Sequence, residues 1–205
     1  MDQTDDLGLP IWPAAERNKQ PILEVLLEII PPGQGTILEI SAATGQHAVH
    51  FAPHFPGYDY YVSDMDHEHL ATLGRRIASS GIANLMGPLQ LDTTSELWPI
   101  QQVEVIYNAN MMHIAPFAAT VGLFRGAGRV LAQGGYLLTY GPYMLDGQHT
   151  SVSNEHFDAS LKQRDASWGV RDIADLKPLA AEHGLSLREK RAMPANNFFL
   201  VWQKT

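Results

Sequence analysis

The sequence predicts an α/β fold, a three-layer doubly wound domain on a mostly parallel seven-stranded sheet with a C-terminal antiparallel strand pair. Three observations predict it. Short apolar, β-rich runs alternate with stretches of helical period from residue 36 to residue 131, as expected of β–α units whose strands are covered on both faces. The last two strand-like runs, 186–191 and 198–203, are joined only by residues 192–197, a connection suited to a hairpin and too short for a crossover. A length of 205 residues with 45% hydrophobic content supplies one domain-sized core. No linker, internal repeat or low-complexity tract divides it, so residues 1–205 read as a single domain.

A helix is expected over about 14–30, opened by Pro13 and closed by Pro31-Pro32-Gly33, with Pro21 splitting off its first turn. A strand over 36–40 leads through Ser41-Ala42-Ala43-Thr44-Gly45 into a short helix over 46–51. The second strand, 58–62, ends at Ser63-Asp64, and the helix after it, about 66–80, stops at Gly81. Strands at 89–91 and 103–107 follow, then a helix between 116 and 131 ended by Gly134-Gly135, and a fifth strand at 136–140. Beyond an irregular polar stretch with a short helix near 154–164, a helix over about 172–183 precedes the strand pair. Asp175 is its expected N-cap, which sets Pro178 near the first turn.

Composition removes several function classes. With no cysteine, the chain cannot form disulfides, thiolate zinc sites, cysteine-ligated clusters or a cysteine nucleophile. A formal net charge of −8 opposes phosphate backbones, so no nucleic-acid partner is expected. The chain has no membrane-length apolar run and an acidic start, so a cytoplasmic protein without a membrane partner is expected. His47, His50 and His54 raise the question of a metal, but Pro53 should end the helix before His54 and no carboxylate constellation accompanies them. No metal site is expected.

Ligands of open α/β sheets bind beyond the carboxyl ends of the strands. There the sequence places a small-residue loop, Ser41 to Gly45, between Glu39 and His47. Acidic residues end three successive strands: Glu39, Asp64 and Asp92. A carboxylate at such a position can accept both hydrogen bonds of a ribose diol, so the three together favour an adenosine pocket.

Several strings carry a wider resemblance: Pro13-Ala14-Ala15-Glu16-Arg17-Asn18-Lys19, Leu38-Glu39-Ile40 with Thr44-Gly45-Gln46-His47-Ala48-Val49-His50-Phe51-Ala52, Ser63-Asp64, Ala109-Asn110-Met111-Met112-His113-Ile114-Ala115-Pro116, Tyr140-Gly141-Pro142, Trp168-Gly169-Val170-Arg171-Asp172 and Met193-Pro194-Ala195-Asn196-Asn197. In their order they resemble class I S-adenosylmethionine-dependent methyltransferases, which have a Rossmann-like sheet. In detail they are similar to the methyltransferase-like 26 family, catalogued as domain of unknown function 938.

The resemblance implies S-adenosylmethionine as cofactor. The loop with Ser41, Ala43 and Gly45 would lie against its methionine part, and Asp64 would hold the ribose. Asp92 and the backbone near Leu91 would meet the adenine. Asn108, Asn110 and Met111 would bring carbonyls to the ammonium group. Glu39 matches the acidic anchor of the first motif, while Ser41 and Ala43 stand where the family pattern has glycines. Arg17 and Asn18 would close the pocket from the opposite side.

Methyl transfer from a sulfonium is an in-line displacement, which asks for alignment, water exclusion and sometimes a base. His113, after the fourth strand, is the candidate base, and its alternative role is to hold the loop at 108–116. Tyr140 and Tyr143 would orient an acceptor or pack the cleft wall. Residues 141–171, rich in aromatic, amide and charged groups, are the expected cover for a small-molecule acceptor. Arg164 and Arg171 would pair there with an acidic group of the acceptor or with Asp158, Asp165 or Asp172 of the cover. His67 and His69 read as solvated. Two other readings compete: a nonenzymatic S-adenosylmethionine-binding module of the same fold, and a nicotinamide-dependent oxidoreductase, against which the sparse glycines and the C-terminal hairpin argue.

Overall fold

A computed structural model of the chain describes residues 3–205, which divide in sequence into two compact units after Leu91. In the first unit, β1 (Gln3–Thr4) and β2 (Pro10–Ile11) pair antiparallel across a turn. The Asp5 carboxylate holds that turn by accepting the Leu7 and Leu9 amides. Helix α1 (Pro13–Ile29) runs through Pro21 without the expected split. The carbonyl that loses its partner belongs to Arg17, an exposed residue whose backbone water can satisfy.

Strand β3 (Gly35–Ile40), α2 (Gln46–Phe51), β4 (Tyr58–Asp64), α3 (His67–Ser80) and β5 (Leu85–Gln90) follow. Strand β4 pairs parallel with both β3 and β5. Asp66 caps α3 by accepting the Glu68 and His69 amides, and Gly81 ends it at φ 66°. Strand β5 starts four residues before the expected 89 because Gly87-Pro88 hides it. Proline lacks a donor and is tolerated only at edges and irregularities of sheets; β5 is an edge strand, and its register with β4 shifts between Tyr61 and Ser63. A Cβ at Gly87 would meet the Val62 carbonyl oxygen at 2.8 Å, so the close backbone approach needs glycine.

The second unit holds β6 (Val103–Ala109), α4 (Phe117–Val130), β7 (Leu131–Gly141), β8 (Tyr143–Leu145), β9 (Gln148–His149), α5 (Val152–Arg164), β10 (Arg171–Asp172), α6 (Ile173–Glu182), β11 (Leu185–Met193) and β12 (Asn197–Lys204). Strand β7 is parallel to β6 and antiparallel to β12, which pairs antiparallel with β11. Gly134-Gly135 do not end α4. The helix closes at Val130, and the glycines form a bulge in β7, where the pairing jumps from Val103–Leu131 to Val105–Tyr136. Asp172, not Asp175, caps α6 by accepting the Ala174 amide at 2.8 Å, which leaves Pro178 inside the helix. The helix expected near 154–164 is α5, and the stretch around it adds the small β10-β8-β9 sheet, which was not expected.

The seven long strands lie in the order β11-β12-β7-β6-β3-β4-β5. The sheet is therefore mostly parallel, flanked by helices, with the expected antiparallel C-terminal pair. Within the first unit Leu26, Leu38, Ile40, Phe51 and Val62 are core residues; within the second, Val103, Ile106, Leu123, Phe124, Leu137 and Trp202 are. Among the described residues no helix is long and apolar enough to cross a membrane.

Candidate functional site

The first unit concentrates its unusual backbone in the loop after β3. Ser41 and Ala43 have φ of 57° and 50°, and Gly45 has 75°. Every second residue is left-handed, a conformation open to glycine and costly for residues with a Cβ. The two non-glycine residues thus keep the backbone path that glycine takes without strain. Small side chains also suit the crowding: a Cβ at Gly45 would lie 2.9 Å from Leu73 Cδ2.

Asp64, at the end of β4, is buried, and its carboxylate organises this loop. Oδ2 accepts the Ala43 amide at 3.0 Å, while Oδ1 accepts the Asp66 amide at 3.0 Å and lies 3.2 Å from His69 Nδ1. His69 is thus not simply solvated. Its ring meets the Trp12 indole edge-on, with centroids 5.7 Å apart. The Trp12 amide donates to Gln46 Oε1 at 2.7 Å, and that oxygen also accepts the Thr44 hydroxyl at 2.8 Å. Arg76, nearly buried, donates to the carbonyls of Thr44 and Pro10 and to Asp5 Oδ2, tying the N-terminal ribbon to the same loop. The Leu91 amide donates to the Asp64 carbonyl at 2.9 Å.

Glu39 sits in the interior of β3, and Tyr60 donates to its Oε2 at 2.8 Å. Burial raises its carboxyl pKa to about 8, only partly offset by the Tyr60 bond, so it is largely protonated at neutral pH. His47 Nε2 lies 2.7 Å from Asn18 Oδ1, and its ring stacks on Phe51 at 5.1 Å. Burial and then the neighbouring His50 lower its pKa to about 4. Asn18 therefore holds α2 against α1, and Arg17 is exposed on α1. No cluster of three or more metal-ligating side chains occurs among the described residues.

The second unit gathers its candidates around the ends of β6 and β7. Asp92 closes a turn by accepting the amide and hydroxyl of Thr94 on Oδ1. Asn108 and Met111 are buried, and Asn110 is left-handed at φ 59°, with its amide donating to the Tyr140 carbonyl. His113 is 7% exposed. Its ring makes no hydrogen bond among the described residues, and it packs edge-on against Phe157 at 5.4 Å. A Cβ at Gly141 would lie 3.5 Å from His113 Nδ1 and 3.6 Å from Asn110 Oδ1, so the glycine leaves room beside both. Burial, then the Arg171 charge, lowers the His113 pKa to about 4 and keeps the ring neutral at pH 7.

Arg171 donates to the carbonyls of Met112 and Ala115 at 2.9 and 2.5 Å, so it clamps the loop that carries His113. Arg164 lies over the Trp168 ring instead of pairing with an aspartate of the segment. Tyr140 and Tyr143 are both buried. The Tyr140 hydroxyl accepts from Asn197 Nδ2 at 2.9 Å. The Tyr143 hydroxyl has no hydrogen bond of good geometry, although Thr139 lies nearby, and burial pushes its pKa up. Sequence reasoning gave Trp12 no role, read His69 as solvated, and placed Phe157 in the cover without a partner; the Trp12–Gln46 and His113–Phe157 contacts span more than thirty positions and leave no local pattern.

The sheet order, the antiparallel C-terminal pair and the loop after β3 define the fold of class I methyltransferases, and known structures agree. The chain matches the mitomycin 7-O-methyltransferase MmcR with a TM-score of 0.78 at 13% identity, covering 94% of this chain and 55% of that one. SAH-bound CalO1, a methyltransferase of calicheamicin biosynthesis, gives 0.74 at 17%, covering 94% and 55%. A putative methyltransferase from Bacillus halodurans C-125 gives 0.70 at 16%, covering 89% of this chain and 98% of its own. The chain thus spans little more than half the length of MmcR and CalO1.

Residues 10–204 match the profile described as "Protein of unknown function (DUF938)", and the chain belongs to that family.

Proposed function

We propose that this chain is an S-adenosylmethionine-dependent methyltransferase of the methyltransferase-like 26 type, acting on a small-molecule acceptor. The observation that carries the reading is the alternating left-handed run Ser41, Ala43, Gly45, held by the Asp64 carboxylate at the end of the next strand. The small side chains of such a loop let a ligand come close to the main chain, and the carboxylate beside them suits a diol. The cofactor supplies an activated methyl group on a sulfonium. In the first unit Asp64 takes the ribose, Leu91 offers backbone to the adenine, and Glu39, largely protonated and buried, bonds Tyr60 of the neighbouring strand. His47 and Asn18 join α2 to α1, and Arg17 stands exposed on α1. Asp92, Asn108, Asn110 and Met111 keep the adenine and ammonium assignments that the resemblance implies.

On the acceptor side, methyl transfer from that sulfonium would release the acceptor's proton, which a base of this chain would take up. The His113 ring, neutral and without a hydrogen bond among the described residues, can receive it. Tyr140 and Tyr143, buried with raised or engaged hydroxyls, shape the wall beside it. Calorimetry with S-adenosylmethionine and S-adenosylhomocysteine, with NAD as the control, tests the reading; preference for NAD would overturn it. Binding without turnover across an acceptor panel would select the nonenzymatic module.

A further inference from the structure

We propose that His69 is a positioning residue for Asp64, and that Trp12 and His69 together wall a nucleoside subsite around that carboxylate. This rests on the cofactor reading above and adds two residues to it. The contacts close on themselves. Asp64 binds the Ala43 amide, and one residue on, Thr44 donates to Gln46. Gln46 holds the Trp12 backbone, Trp12 meets His69, and His69 returns to Asp64. Each link joins a different element, so the ring fixes the loop after β3, the entry to α1 and the first turn of α3 relative to one carboxylate.

The two aromatic residues are exposed enough to meet a ligand. The His69 side chain keeps 35% of its surface and Trp12 43%, although both are pinned by contacts at one end. Exposed tryptophan held by its backbone is a ready flat surface for a planar base. Met65, next to Asp64 in the chain, is 60% exposed. His69 Nδ1 restricts Asp64 Oδ1 from one side, and the Asp66 amide restricts it from another. A carboxylate held on both oxygens presents its remaining lone pairs in one orientation, as recognition of a vicinal diol requires.

The test compares S-adenosylhomocysteine with its 2′-deoxy analogue by calorimetry, in wild type and in His69→Ala, His69→Gln and Trp12→Ala. In wild type the deoxy analogue should bind ~10- to 150-fold more weakly, the cost of one hydrogen bond to a charged group. In His69→Ala that ratio should fall toward ~2, and His69→Gln, which keeps a donor for Asp64, should restore it. Such a ratio does not respond to a mere loss of stability. Trp12→Ala should weaken both ligands by the same factor and abolish the ligand-induced change in tryptophan fluorescence. Unchanged ratios and affinities in all three variants would overturn the inference while leaving the cofactor reading intact. A wild type that binds neither ligand would overturn both.

Discussion

Asp64 accepts the amide hydrogen of Ala43 at 3.0 Å, so the carboxylate that ends one strand holds the middle left-handed residue of the loop that follows its neighbour. Strain and support are coupled here: the hydrogen bond offsets part of what a Cβ costs at φ 50°.

Replacing Ala43 by Gly should leave stability unchanged or raise it by up to ~1 kcal/mol, because relief of about 1–2 kcal/mol of left-handed strain exceeds the added chain entropy of glycine. Ala43→Val should lose ~2 kcal/mol or more, since a β-branched side chain fits that region worst. Urea denaturation of the two variants measures both; a stable Ala43→Val protein would contradict the argument.

Asp64→Ala removes the acceptor for the Ala43 and Asp66 amides along with the proposed ribose contact. Affinity for S-adenosylhomocysteine should fall by ~10- to 150-fold, or about 1.5–3 kcal/mol. Calorimetry on a variant whose melting curve remains cooperative checks this, and an unchanged dissociation constant would place the ribose elsewhere.

The joint contribution of Glu39, His47 and His113 to stability should peak near pH 6.5. His47 and His113 titrate near 4 when folded and near 6.5 when unfolded, so the unfolded chain binds more protons in that interval and stability rises with pH. Glu39 titrates near 8 when folded against 4.5 unfolded. Here the folded chain holds the extra proton, and stability falls as pH rises from 4.5 to 8. Two histidines outweigh one carboxyl below 6.5, and the carboxyl acts alone above it. Glu39→Gln, which can still accept from Tyr60, should flatten the decline between pH 6.5 and 8 in denaturation series.

His113→Ala should lower turnover ~10²- to 10⁴-fold with cofactor affinity nearly intact. If His113 is the base, wild-type turnover should stay level from neutral pH down to about pH 5 and fall through its pKa near 4, as the ring becomes protonated and can no longer accept. A pH–rate profile with an identified acceptor decides it; a variant with normal turnover and a lowered melting temperature would leave His113 a packing residue.

Gly126→Ala should be strongly destabilising, by roughly 2–4 kcal/mol, because its Cβ would fall 1.9 Å from Trp98 Cζ2. Thermal melts of this variant and of the solvent-open Gly134→Ala would separate steric overlap from left-handed strain.

Periodicity and punctuation alone determined the alternation of strands and helices, the terminal hairpin and the small-residue loop between Glu39 and His47, because each is written in neighbouring residues. The same local rules misplaced Gly134-Gly135, which resemble a helix stop until β6 shows that the strand has already begun. They also favoured Asp175 over Asp172 as a cap, since a capping aspartate is chosen by where the chain enters the helix. Only the tertiary structure decided that Ser41 and Ala43 take left-handed backbone, that His69 and Trp12 join Asp64, and that Arg171 grips the His113 loop. These relationships depend on side chains 5 to 59 positions apart meeting at one place. Hydrophobic pattern specifies which face of an element is buried, but distance and direction between polar groups arise only once the elements pack.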